Sequence, residues 1–130
     1  MTAKKILLVD DDEDDRMIFG DAVREINENL IYKEANNGLE ALLHLQNRPS
    51  LPDMIFLDLN MPKMNGYECL SAIKKENKFR HIPVIIFTTS KFEAERIHSM
   101  NIDSTFFLLK PGEYALFKAE LKKILNKISA

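Results

Sequence analysis

Short runs of hydrophobic residues recur along the chain and are separated by segments with helical periodicity. The runs span residues 5–9, 30–35, 54–57, 84–87 and 106–109. Residues 54–57 and 84–87 are apolar throughout, which is typical of strands buried on both faces of a sheet. Residues 30–35 alternate in polarity and include Lys33 and Glu34, which favours an edge strand. The pattern therefore predicts five strands, one of them at an edge.

Helical periodicity follows each predicted strand. The predicted helices span residues 14–28 and 39–46, a segment near Tyr67, residues 92–100 and residues 113–129. The side chains expected to be buried are Met17, Ile18, Ala22 and Ile26, then Leu42, Leu43 and Leu45, then Tyr67, Leu70 and Ile73, and finally Phe117, Leu121, Ile124 and Ile128. Asp12 or Glu13 is expected to cap the first helix, because an acid there accepts hydrogen bonds from free amides and opposes the helix dipole. Strands that alternate with helices predict an α/β fold with a parallel sheet and helices on both faces.

The composition is that of an ordinary globular domain. The chain has 130 residues, of which 45% are hydrophobic and 29% charged, and this length predicts one domain over residues 1–130. No apolar run approaches the roughly 20 residues of a membrane span, and the first residues lack the pattern of a signal peptide, so we expect a cytoplasmic protein with no membrane partner. The net charge of -2 argues against nucleic acid as a ligand. The single cysteine, Cys69, excludes an internal disulfide and is expected to be a small buried hydrophobe.

Chemically reactive side chains follow four of the predicted strands. They are Asp10 and Asp11 after the first strand, Asp58 after the third, Thr88 after the fourth and Lys110 after the fifth. Ligands of open parallel α/β sheets bind outside the carboxyl ends of the strands, so we expect these side chains to converge. Mg²⁺ prefers oxygen ligands such as carboxylates, while an ammonium and a hydroxyl suit phosphate oxygens. The set therefore predicts a site for phosphate bound together with Mg²⁺.

The acids at positions 12–15 are expected only to cap the first helix or to be solvated. A calcium-binding loop of the helix-loop-helix type is excluded here, because its sixth position would be Asp15 instead of glycine and a strand precedes it.

The motifs at the strand ends resemble those of response-regulator receiver domains in two-component signalling. These motifs are Ile6-Leu7-Leu8-Val9-Asp10-Asp11, Asp58-Leu59-Asn60-Met61-Pro62 with Asn65-Gly66 after it, Thr88-Thr89 and Lys110-Pro111. They occur in order and at the right intervals, and the resemblance covers essentially the whole chain. It implies a flavodoxin-like, doubly wound (βα)5 fold, with a five-stranded parallel sheet in the order 2-1-3-4-5 and helices on both faces. It also implies a chemotaxis-type receiver of a single domain, with no fused output domain.

The resemblance assigns roles to the acidic residues. It implies that Asp58 accepts a phosphoryl group from a phosphohistidine on a sensor histidine kinase or on a histidine phosphotransfer protein. It implies Mg²⁺ as the cofactor, bound by Asp11, Asp58 and the main-chain carbonyl of Asn60, with Asp10 acting mostly through a metal-bound water. The protein would then be a signalling phosphoacceptor that catalyses only its own phosphorylation and dephosphorylation.

The other motif residues are implied to hold or to sense the phosphoryl group. Lys110 would pair with Asp58 and then with a phosphoryl oxygen, while Thr88 would turn to hydrogen-bond another. Thr89 stands where many family members have a smaller residue, and its side chain would partly screen the acyl phosphate from water. Phe107 occupies the position of a switching aromatic residue.

The segment around the last predicted strand carries two departures from the family pattern. Residues 101–105 form a bulkier loop than the small residues that the family often has there, and Gly112 is unusual at its position. Pro111 is implied to follow a cis peptide bond, which an X-Pro bond reaches at low cost. Neither departure removes a chemical group from the site.

Two other classes of protein share part of the pattern. A haloacid-dehalogenase-like phosphohydrolase also uses an aspartyl nucleophile, Mg²⁺, a hydroxyl and a lysine. Its nucleophile belongs to an early Asp-x-Asp pattern, however, whereas Asp58 lies on the third predicted strand and Asn60 replaces the second acid. A flavodoxin-like cofactor binder would need a loop rich in glycine or hydroxyl residues, which the sequence lacks. The leading hypothesis is a receiver with an unknown downstream target, for which a homodimer is one expected state.

Overall fold

The fold is a parallel sheet with helices on both faces. The computed structural model describes residues 4–47, 51–59, 61, 64–89, 106–110 and 112–129. The strands are β1 (Lys5–Val9), β2 (Ile31–Ala35), β3 (Met54–Asp58), β4 (Val84–Thr88) and β5 (Phe106–Leu109). The helices within the described residues are α1 (Glu13–Ile26), α2 (Gly38–Asn47), α3 (Gly66–Lys75) and α4 (Tyr114–Ser129). The strands are all parallel and lie in the order β2-β1-β3-β4-β5, which confirms the predicted fold class and strand order.

Side chains from the two faces of the sheet enter two separate hydrophobic clusters. Along β1, Leu7 and Val9 belong to one cluster, and Ile6 and Leu8 belong to the other, as the two-residue period of a strand requires. Residues of α2 and α3 complete the first cluster, and residues of α1 and α4 complete the second. Because both faces are covered, β3 and β4 are buried along their whole length. The edge strand β2 is buried only at its last residue.

The buried faces of α1 and α2 each differ from the prediction at one position. Met17 and Leu43 are each 56% exposed, although their hydrophobicity predicts burial. Phe19 and Leu45 are buried, and each lies two residues after the exposed residue, about 200° around the helix axis. The larger set of buried residues decides which side of each helix faces the sheet. A hydrophobic residue on the opposite side is therefore left in solvent.

Phe19 lies at the centre of an aromatic cluster that joins α1 to the sheet and to α4. Its ring centroid lies 4.9 Å from that of Phe56, 5.4 Å from that of Phe87 and 6.1 Å from that of Phe117. The first two contacts are edge-to-face, which is a favoured arrangement of aromatic rings. The cluster packs the middle of α1 against β3, β4 and α4.

The remaining predictions about the fold concern the last helix, Cys69, residues that the structure does not describe, and membrane spans. The last helix begins one residue later than predicted, and it buries Phe117, Leu121 and Ile124. Cys69 is fully buried, as predicted, and burial raises the pKa of its thiol to about 12. The side chain of Ile128 and the predicted helix at residues 92–100 lie outside the described residues. Among the helices that are described, none has the length and apolar character needed to cross a membrane.

Candidate functional site

Strand pairing places the predicted site residues after β1, β3, β4 and β5 close together, at the edge of the sheet formed by the carboxyl ends of the strands. Pairing between β1 and β3 includes Val9, so the next residue, Asp10, lies beside Asp58. At the other end of the site, the main-chain N–H of Lys110 donates to the carbonyl of Thr88 at 2.7 Å. The chain leaves β1 towards β2 on one side and enters β3 on the other, so the winding of the sheet reverses here. Ligands of open α/β sheets bind at such a reversal.

Three carboxylates lie within reach of a single cation. One oxygen from each of Asp10, Asp11 and Asp58 lies within 4.8 Å of the other two. Asp10 and Asp58 are buried, whereas Asp11 is exposed. Like charges at this spacing repel one another, which favours a bound counter-cation.

Asp10 is held in place by several hydrogen bonds. Its Oδ1 accepts one from the N–H of Asp12 at 2.9 Å, and its main-chain carbonyl accepts one from Nη1 of Arg16 at 2.8 Å. Its Oδ2 is buried and lies 3.0 Å from Nζ of Lys110 without a well-aligned hydrogen bond. Burial disfavours the carboxylate and raises the pKa of Asp10, in spite of the hydrogen bond from Asp12 and the charge of Lys110. A buried carboxylate oxygen without an aligned donor suits a hard metal ion such as Mg²⁺.

Lys110 is surrounded by carboxylates. Its Nζ lies 2.7 Å from Oδ2 of Asp15, 3.0 Å from Oδ2 of Asp10 and 3.5 Å from Oδ2 of Asp58. Burial opposes the ammonium charge, but the hydrogen bond to Asp15 and the nearby negative charges of Asp10 and Asp58 outweigh burial, so the pKa of Lys110 is raised. The ammonium also lies 5.2 Å from the ring centroid of Phe87, which adds a cation–π contact. Lys110 therefore offsets part of the negative charge of the site.

Asp15 belongs to this site, and the expectation that the acids at positions 12–15 only cap or are solvated is wrong for it. Asp12 is the N-cap of α1, as predicted, and its Oδ1 accepts a hydrogen bond from the N–H of Asp15 at 3.0 Å. The side chain of Asp15 is 23% exposed and accepts a hydrogen bond from Lys110. The two residues are 95 positions apart in the sequence. No local pattern connects them, so the sequence carries no signal for this pair.

The two threonines occupy different environments at the end of β4. Thr88 is buried, whereas Thr89 is exposed. Thr89 lines a cleft of about 560 Å³ together with Asp58, Lys110 and the acids at the start of α1. The cleft gives a phosphate-sized group access to these side chains.

Three predicted residues are not part of this described geometry, one because of its position and two because the structure does not describe them. Phe107 is on β5 and is 45% exposed. Asn60 and Pro111 lie outside the described residues.

Gly66 allows α3 to begin against the main chain next to Asp58. Its N–H donates to the carbonyl of Leu59 at 2.9 Å, and a Cβ at this position would overlap the carbonyl oxygen of Asp58. The preceding residue, Asn65, caps α3 and forms a capping box with Glu68. The Asn65-Gly66 motif therefore sets how α3 begins against the main chain of Asp58 and Leu59.

The flavodoxin-like sheet has acids and a lysine where its winding reverses. This arrangement defines an α/β protein with a site suited to phosphate bound together with a cation. The sequence of the chain matches the family model described as the response regulator receiver domain over residues 6–122. The protein therefore belongs to the response-regulator receiver family.

The chain is also similar to known proteins in sequence and in structure. The chain is 37% identical over 111 residues to the sensor histidine kinase CheAY of Helicobacter pylori, a match that spans 84% of this chain but only 14% of CheAY. It is 30% identical over 122 residues to the chemotaxis protein CheY1 of Helicobacter pylori, covering 94% of this chain and 97% of CheY1. The crystal structure of the phosphorylated cyanobacterial phytochrome response regulator RcpA has a TM-score of 0.83 and 30% identity, covering 94% of this chain and 91% of RcpA.

Membership of the family confirms the resemblance and gives the protein a phosphoacceptor role in two-component signalling. The alternative of a haloacid-dehalogenase-like phosphohydrolase is not supported.

Proposed function

We propose that Asp58 is the phosphoacceptor and that its donor is a phosphohistidine of a sensor histidine kinase or of a histidine phosphotransfer protein. The observation that carries the proposal is the position of Asp58, which lines the cleft between the acids that follow β1 and the ammonium of Lys110. Asp10 is less suited to attack a phosphoryl group, because it is fully buried and its Oδ1 accepts a hydrogen bond from the main chain.

The reaction needs positioning and charge stabilisation more than covalent chemistry by the protein. A carboxylate oxygen of Asp58 forms a bond to phosphorus while the P–N bond to the donor imidazole breaks. The imidazole leaves with the electron pair and takes up a proton, and an acyl phosphate remains on Asp58. Lys110 and the hydroxyl of Thr88 would donate hydrogen bonds to phosphoryl oxygens, which carry the negative charge of the transition state.

Asp10, Asp11 and Asp58 are the residues that would hold Mg²⁺, together with the main-chain carbonyl of Asn60. The fit rests on three hard oxygen ligands within 4.8 Å of one another and on the buried Oδ2 of Asp10. Bound there, Mg²⁺ would neutralise negative charge on the phosphoryl oxygens.

The signal would leave the site through β4 and β5. Thr88 would turn towards the phosphoryl group. Phe107 lies on the neighbouring strand β5, and its large ring is 45% exposed. A change in the position of Thr88 would shift the equilibrium between two arrangements of β4 and β5. This shift would change the surface that binds a downstream target or a second copy of the chain. The protein would catalyse only its own phosphorylation and dephosphorylation.

Acetyl phosphate with Mg²⁺ tests the assignment of Asp58. Intact-mass measurement is expected to show the addition of one phosphoryl group, which hydroxylamine removes, in the wild type and in Asp21→Asn. Asp21 is a suitable control because it is a half-exposed acid of α1 that pairs with Arg24. Asp58→Asn is expected to lose the addition. An equal, hydroxylamine-sensitive addition in Asp58→Asn would show that another residue is the phosphoacceptor.

A further inference from the structure

We propose that Asp15 is a positioning residue that draws Lys110 away from Asp58 and competes with the phosphoryl group for this lysine. The inference rests on the proposed role of Asp58. Asp15 would be a fourth acid of the site. It belongs neither to the sequence motifs at the strand ends nor to the group of Asp10, Asp11 and Asp58 that could hold a cation.

The distances show which acid the lysine prefers. Nζ of Lys110 lies 2.7 Å from Oδ2 of Asp15, which is the distance of a short, charge-assisted hydrogen bond. It lies 3.5 Å from Oδ2 of Asp58, which is beyond the usual range of an N–H···O hydrogen bond. The lysine therefore contacts the helix acid more closely than it contacts the proposed phosphoacceptor.

The main chain of Asp15 is anchored, so the lysine is the partner that moves. The N–H of Asp15 donates to the capping side chain of Asp12 at 3.0 Å, and α1 is held to the sheet by Phe19, which is fully buried four residues further on. Lys110 carries its ammonium on a flexible four-carbon stem. A shift of that ammonium towards Asp58 would lengthen its contact with Asp15.

The direction of the effect follows from this geometry. A phosphoryl group on Asp58 gains from Lys110 only when the ammonium turns towards it, and that movement weakens a contact that the unphosphorylated arrangement contains. Asp15 therefore stabilises the unphosphorylated arrangement relative to the phosphorylated one, and loss of its charge shifts the balance towards the latter.

Asp14 provides a matched control for the charge alone. It lies in the same first turn of α1, lines the same cleft and is exposed. Removal of either carboxylate changes the net charge of the cleft by the same amount, but only Asp15 contacts Lys110 among these two. A difference between Asp15→Asn and Asp14→Asn therefore reports on the contact with the lysine.

Beryllofluoride, which mimics a phosphoryl group, provides the test at saturating Mg²⁺. Calorimetric titration is expected to show that Asp15→Asn binds it about fivefold more tightly than the wild type, while Asp14→Asn differs from the wild type by less than about twofold. In a Lys110→Met background, the addition of Asp15→Asn is expected to leave the affinity unchanged. Without beryllofluoride, the ammonium protons of Lys110 are expected to exchange with solvent faster in Asp15→Asn than in Asp14→Asn, as measured by NMR.

Several outcomes would overturn the inference while the wild type still binds beryllofluoride. They are equal affinities in the Asp15 and Asp14 variants, weaker binding in Asp15→Asn, and an unchanged exchange rate of the ammonium protons of Lys110. A wild type that neither binds beryllofluoride nor gains a phosphoryl group on Asp58 would instead overturn the proposed function. Similar thermal midpoints of Asp15→Asn and Asp14→Asn would show that both variants are folded.

Discussion

Nζ of Lys110 lies 3.0 Å from Oδ2 of Asp10, in a place where the aspartate side chain is fully buried and the lysine side chain is only 10% exposed. The contact joins the residue after the first strand to the residue after the last. An isolated charge would be costly at this depth. Each charge therefore lowers the cost of burying the other, and the site depends on the residues that follow β1 and β5.

Loss of Lys110 is expected to destabilise the fold in the absence of a metal ion. Lys110→Met leaves the buried Asp10 without its counter-charge, so we expect the free energy of unfolding at pH 7 to fall by about 1–3 kcal/mol. Urea denaturation measures the change. Lys123→Met removes the surface pair with Glu120 and is expected to cost less than about 1 kcal/mol. Equal losses in the two variants would contradict the role of Lys110 as a counter-ion.

A methyl group at Gly66 is expected to distort the loop after Asp58. Because a Cβ there would overlap main-chain atoms of Asp58 and Leu59, we expect Gly66→Ala to lower the free energy of unfolding by about 1–3 kcal/mol and to slow phosphorylation by acetyl phosphate. Gly112→Ala is the matched control, since nothing lies within 4 Å of its added Cβ. That variant is expected to match the wild type in both measurements. A wild-type phosphorylation rate in Gly66→Ala would show that the site tolerates movement of this loop.

Glu25 provides a pH-dependent link between α1 and α4. It accepts hydrogen bonds from Lys118 at 3.0 Å and from Tyr114 at 2.9 Å, and these contacts lower the pKa of Glu25 below its ordinary value of 4.5. Because its pKa is lower in the folded state than in the unfolded state, the contribution of Glu25 to stability is present above pH 4.5 and is lost as the pH falls through the folded-state pKa.

The Glu25 link is tested by Glu25→Gln. Thermal unfolding is expected to show a slightly lower midpoint than the wild type at pH 7, and a smaller difference at pH 3. Glu28→Gln, which changes an exposed acid beyond the end of α1, is expected to show no such pH dependence. A difference of the same size at both pH values would assign the effect to side-chain packing instead of charge.

A divalent cation is expected to stabilise the folded protein. Mg²⁺ would relieve the repulsion among Asp10, Asp11 and Asp58, and a ligand at 100 times its dissociation constant adds about 2.7 kcal/mol to the free energy of unfolding. Asp11→Asn is expected to be more stable than the wild type without Mg²⁺, because it removes one like charge, and to lose most of the stabilisation by Mg²⁺. Asp14→Asn is expected to keep it. Thermal unfolding of both variants, with and without Mg²⁺ at constant ionic strength, measures the stabilisation by the ion. Full stabilisation of Asp11→Asn by Mg²⁺ would exclude that residue from the cation site.

The elements that the sequence predicts correctly are those with a local cause. The apolar runs of β3 and β4 predict interior strands because a parallel sheet covered on both faces excludes polar residues. Asp12 is predicted as a cap because free amides at a helix start need an acceptor close in sequence. The errors at Met17 and Leu43 have a different origin. Hydrophobicity does not reveal which side of a helix faces the sheet when apolar residues occur on both sides.

The sequence by itself determined the order of the described strands and helices, the family, and the presence of Asp10, Asp58 and Lys110 at strand ends that converge in any sheet of this type. Only the tertiary structure decided the contacts among these groups. The preference of Lys110 for Asp15 depends on how α1 is packed against the sheet and on the direction of a flexible side chain 95 residues away. Charge pairs of this kind form through space, so their partners are set by packing and not by any repeat along the chain.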